Sequence, residues 1–211
     1  MEEFIQRILL LIVPMLVALT AHELAHAWVA DRLGDPTPRM LGRLTINPLK
    51  HLDPIGTLAI FLTGMFGWAK PVPVNPNNFN DPAKAMKWVA LAGPITNLCL
   101  AAIFAVIAKI MIMTAGAFVL RTSPILAPIF IMVHIGILLN VALGIFNMVP
   151  IPPLDGSKVL MSVLPFDKAL AFSKIEPYGF IILIMLIYSG ILHRVMGPII
   201  DLTVGVLTMG I

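Results

Sequence analysis

Three residues inside one turn and a half carry the strongest chemical signal in this 211-residue chain: His22, Glu23 and His26, spaced as HExxH. On an α-helix, positions four apart share a face, so His22 and His26 can turn two imidazole nitrogens toward one metal ion about 2.0–2.1 Å away. Glu23 stands beside that pair, where a carboxylate takes a proton from a metal-activated water instead of ligating the metal. A hydrolytic zinc site needs a third protein ligand and an open position for water. The best candidate is Asp155, in the segment 147–156 (NMVPIPPLDG). There prolines 150, 152 and 153 stop a helix and fix the chain direction, and Gly156 permits a sharp turn after the carboxylate.

The elements that must position these groups are apolar. Hydrophobic residues make up 59% of the chain and charged residues 12%, which leaves too little polar surface for a soluble globule. Four stretches are long enough to cross about 30 Å of hydrocarbon: 4–29, 86–115, 124–149 and 178–195. The first begins with Glu2 and Glu3 and outruns a signal-peptide core, so it reads as a retained helix. A shorter apolar patch at 55–67, rich in glycine, reads as re-entrant or interfacial. The proline-rich segments 43–54 (RLTINPLKHLDP) and 68–76 (WAKPVPVNP) suit short strands, the second an edge strand because of prolines 71, 73 and 76. The expected fold is therefore an all-α polytopic membrane protein. It is one domain, 1–211, of about four to five transmembrane helices with short membrane-associated β-strands and a re-entrant segment. The status of 195–211 stays open.

Charge supports that topology. If 55–67 does not cross, ten of the 14 Lys and Arg residues fall on one side and leave Arg7, Lys109, Arg121 and Arg194 on the other, the asymmetry expected of cytoplasmic loops. The same arrangement brings His22, His26 and Asp155 to one end of the bundle; if the patch crossed, Asp155 would lie on the opposite face. The net charge of +3 comes from basic residues scattered singly, which argues against nucleic acid as a partner. Cys99, the sole cysteine, permits no internal disulfide.

Several motifs together carry a resemblance: HELAH at 22–26, GRLTINPLKHLDPIGT at 42–57, GWAKPVPVNP at 67–76, AGPITN at 92–97 and FNMVPIPPLDGSKVL at 146–160. In this order, over about three-quarters of the chain, they resemble the site-2 proteases, the membrane-embedded zinc metalloproteases of regulated intramembrane proteolysis. The resemblance implies one Zn2+ held by His22, His26 and Asp155, Glu23 as catalytic base, and an active site facing the cytoplasm from the plasma membrane. It also implies a transmembrane protein as substrate, and the compact type of the family, without a PDZ domain.

Other polar residues admit two readings each. Asn97, Asn140 and Asn147 lie in apolar helices, where an amide commonly bonds a neighbouring helix. The resemblance favours Asn97 and Asn147 as donors to an oxyanion or to a substrate carbonyl. His51 and His134 could relay protons or ligate metal, and a hydrogen-bonded packing role is the commoner case. The edge around Val72–Val74 could hold an extended substrate by backbone bonding or simply pack on its own hairpin. A rival from another class is a divalent-cation or proton transporter using the same His and Asp groups. It would call for ionisable residues along a path through the bilayer, whereas here they gather toward one end.

Overall fold

The computed structural model describes residues 2–56 and 69–210. Eight α-helices follow one another in the described residues: α1 (Glu2–Arg32), α2 (Thr37–Met40), α3 (Pro82–Thr122), α4 (Leu126–Asn147), α5 (Asp155–Val163), α6 (Phe166–Ser173), α7 (Gly179–Tyr188) and α8 (Ile191–Leu207). Short 3-10 turns occur at Pro48–Lys50, Pro76–Asn78 and Glu176–Tyr178. Among the described residues, four stretches are long and apolar enough to cross a membrane: Ile8–Arg32, Pro82–Thr122, Leu126–Asn147 and Phe166–Tyr188. The patch expected to be re-entrant falls largely on 57–68, outside the described residues.

α3 is the spine of the bundle, packed against α1, α4 and α5. Its start follows from local chemistry. Asp81 Oδ1 accepts the Lys84 N–H at 3.1 Å, and Pro82 takes the first helical position, where a missing N–H costs nothing. Its 41 residues would make about 60 Å of helix, but Gly116 at φ 76° and ψ 150° breaks the run near its far end. Lipid tails offer no hydrophobic drive between helices, so close backbone approach through small residues does the packing. Ala18, Ala101 and Ala108 are fully buried. A Cβ built on Gly136 would lie 3.0 Å from the Phe104 ring, and one on Gly144 would lie 3.1 Å from the Pro94 carbonyl oxygen.

Three expectations are corrected. The short β-strands are absent: among the described residues the only ladder contact is one antiparallel bridge, Leu52 to Ala69. Prolines 71, 73 and 76 remove the donors a ladder needs, and side chains take over the backbone groups instead. Arg43 donates to the carbonyls of Lys70 and Pro71, and Asn75 N donates to Asp35 Oδ2, while Lys70 N keeps a backbone partner in the His51 carbonyl beside the bridge. The fourth apolar stretch is not one helix over 178–195. α7 stops at Tyr188, Gly190 turns left-handed at φ 73°, and α8 begins at Ile191 and runs to Leu207, packed on α4. Gly156, finally, makes no turn of its own. It lies inside α5, and a Cβ there would stand 2.3 Å from the Met148 carbonyl oxygen, so its smallness lets α5 start hard against the end of α4.

Candidate metal centre

α1 presents His22 and His26 on one face, and each ring is oriented from behind. The Asn97 amide donates to the Ala18 carbonyl at 3.2 Å and to Asn140 Oδ1 at 2.8 Å, while the Asn140 amide donates to the Gly136 carbonyl at 2.8 Å. Those carbonyls accept only, so Asn97 must turn its own oxygen to His22 Nδ1, 2.6 Å away. His22 Nδ1 therefore carries the proton. His26 Nδ1 lies 2.6 Å from the Val89 carbonyl and donates to it for the same reason. In both rings the proton is on Nδ1, which leaves Nε2 with a lone pair facing forward.

α5 supplies the third group. Its first residue is Asp155, delivered to the histidines because α5 packs on α3 just as α1 does. Asp155 Oδ2 lies 3.1 Å from His22 Nε2 and 3.1 Å from His26 Nε2, and the two nitrogens are 3.0 Å apart. Ligands about 2.0–2.1 Å from a tetrahedral ion stand about 3.3–3.4 Å from one another, so this nearly equilateral triangle is close to one face of a zinc tetrahedron. With both rings neutral, three acceptors meet with no donor among them, an arrangement that a metal cation satisfies. Room is left by Gly93: a Cβ there would fall 2.5 Å from His22 Cε1, 2.5 Å from His26 Nε2 and 2.6 Å from His22 Nε2. The donor set, the spacing and the glycine cradle all fit zinc. Among the described residues, His22, His26 and Asp155 form the one group of His, Cys, Asp or Glu side chains able to share a metal.

Glu23 is buried beside the cluster, where its Oε2 accepts the Val72 N–H at 3.0 Å. The charge of Glu23 also reaches the buried guanidinium of Arg43, which burial pulls below the usual arginine range and Glu23 partly restores. A cavity of about 730 Å³ opens in front of these groups, lined among others by Glu23, Val72, Phe146, Asn147 and Asp155. Asn147 reaches it with an amide that gives one hydrogen to the Leu143 carbonyl at 3.0 Å. Asn97 does not line the cavity; it is fully buried behind His22.

The remaining candidates lie elsewhere. His51 Nε2 bonds the Thr45 carbonyl at 2.8 Å, and His134 Nδ1 bonds the Phe130 carbonyl at 3.1 Å. Sequence reasoning missed Gly93, the Val89 carbonyl and Arg43. Only Gly93 offered a signal, a glycine inside an apolar helix, which marks a close approach without saying to what.

Comparison with known proteins gives the family. Residues 10–189 match peptidase family M50, the site-2 protease family. YwhC of Bacillus subtilis (strain 168), named as a candidate zinc metalloprotease, is 39% identical over 191 residues, covering 90% of this chain and 85% of that one. Rip2 of Mycolicibacterium smegmatis, named likewise, is 29% identical over 190 residues, 88% of this chain and 69% of its own. No solved structure matches. With four stretches among the described residues long and apolar enough to cross a membrane and a metal-competent His, His and Asp cluster, the chain is a multi-pass membrane metalloprotease that belongs to peptidase family M50.

Proposed function

We propose that this protein binds one zinc ion through His22 Nε2, His26 Nε2 and Asp155, and hydrolyses a peptide bond in or beside a transmembrane segment of a membrane-protein substrate. The observation that carries the reading is the convergence of three acceptor atoms at 3.0–3.1 Å in the space Gly93 leaves open. Zinc in that place would supply a Lewis acid and bring the pKa of a water toward about 7.

Glu23 is the general base, taking a proton from that water and returning it to the leaving amine. Its Oε2 is steadied by the Val72 N–H, and Oε1 has no protein partner among the described residues. Asn147, on the cavity wall, keeps a second amide hydrogen for a substrate carbonyl. Asn97 acts through His22 as a positioning residue: by accepting from Nδ1 it holds the ring in the tautomer that leaves Nε2 free for metal. The apolar lining around Phe146, Leu183 and Val74 suits a hydrophobic segment, and regulated intramembrane proteolysis is the process that presents one. The excess of basic residues beside the site supports a cytoplasmic-facing active site, and the plasma membrane is the proposed location.

The test is Glu23→Gln. The variant should keep zinc at wild-type stoichiometry while cleavage of a co-expressed membrane substrate is lost. Normal turnover would remove Glu23 from its role.

A further inference from the structure

A second groove lies on the other face of the α1–α3 pair from the metal centre. It measures about 450 Å³ and is floored by the small side chains of Ala25, Ala92 and Thr96. Trp28 and Trp88 wall it and are about half exposed, at 51% and 49%. Arg32 stands at its mouth with its guanidinium 5.2 Å from the Trp28 ring.

The charge at that mouth is unbalanced. Asp31, the nearest acid in sequence, gives both carboxylate oxygens to Arg39. Asp35 is fully buried and occupied by Thr37, Asn75 and Asn78. Arg32 thus forms no ion pair among the described residues, though the charge of Asp31 still reaches it, and Lys84, exposed one turn before Trp88 on α3, adds a second positive charge. Indoles favour the level of lipid headgroups, and an arginine there seeks phosphate. Below the two cations an apolar, small-residue channel runs between two helices that cross the membrane.

We propose that this groove is a binding site for an anionic phospholipid, its phosphate on Arg32, with Lys84 adding positive charge one turn before Trp88, and one acyl chain between Trp28 and Trp88. Charge complementarity selects this occupant over a zwitterionic lipid, and the exposed apolar walls select a lipid over free phosphate. The site does not depend on the proteolytic reading.

Tryptophan quenching in vesicles tests it, with Trp68→Phe as background so that only Trp28 and Trp88 report. Phosphatidylglycerol with brominated acyl chains is added at low mole fraction to phosphatidylcholine, and compared with brominated phosphatidylcholine at the same fraction. The anionic lipid should win by at least about fivefold in apparent occupancy, which is what about 1 kcal/mol from Arg32 alone amounts to. Arg32→Gln should abolish most of that preference, and Ala92→Leu, which fills the floor, should reduce quenching by both lipids. Soluble glycerol phosphate should not compete. Equal quenching by the two lipids, a preference that survives Arg32→Gln, or displacement by glycerol phosphate alone would overturn the proposal.

Discussion

Gly93→Ala is the sharpest perturbation of the metal centre, because it adds one carbon and removes nothing. The new methyl would lie 2.5–2.6 Å from three atoms of the two histidine rings, whereas carbon needs about 3.5 Å, so the rings or the helix must move by about 1 Å. The rings have nowhere to go: His22 is tied at 2.6 Å to Asn97 and His26 at 2.6 Å to the Val89 carbonyl. Separating α1 from α3 instead disturbs a packed helix pair, an overpacking cost of about 1–3 kcal/mol. Either response exceeds the tolerance of about 0.2 Å on ligand distances at a metal site. Alanine is meanwhile the better helix former by about 1 kcal/mol, so the fold itself should persist. The expected result is a zinc affinity lowered at least tenfold, measured by chelator competition and metal analysis on protein whose helical circular dichroism is unchanged. Wild-type zinc affinity in Gly93→Ala would refute the claim that this glycine shapes the site.

Asn97→Ala should lower zinc affinity by about 10- to 100-fold, the usual cost of losing the group that orients a ligating histidine, and metal titration would show it. Asn140→Ala should act in the same direction more weakly, since it reaches the histidine only through Asn97. Arg43→Gln should raise KM more than it lowers kcat and expose 69–76 to limited proteolysis, because two charge-assisted bonds worth about 1.5–3 kcal/mol each hold the carbonyls of Lys70 and Pro71; unchanged protease sensitivity would count against it. Burial pushes the Asp35 carboxyl up, but bonds from Thr37, Asn78 and Asn75 outweigh it and hold the group below the usual range. Its stabilising contribution is therefore full above about pH 4 and is lost as pH falls below that, and Asp35→Asn should flatten the acid limb of a thermal-stability profile.

HExxH was legible without coordinates because one helical period decides which side chains share a face. The membrane class was equally legible, since long apolar runs admit few backbone solutions in lipid. Asp155 could be nominated from its proline-flanked segment at the end of an apolar stretch, with charge bias as a separate check that it shares a side with the histidines. The strands were not legible. Val72 and Val74 have the right type, but whether a backbone group pairs with a strand or with a side chain depends on what lies opposite, and here Arg43, Asp35 and Glu23 lie there.

The sequence by itself therefore determined the candidate ligand types, their spacing on one helix and the apolar medium around them, all of which follow from local periodicity and composition. Tertiary structure alone decided which tautomer each histidine holds, that Asn97 faces His22 instead of the cavity, and that Gly93 clears the ground for a metal. Those facts depend on contacts between residues up to 79 positions apart, and no spacing rule reaches that far.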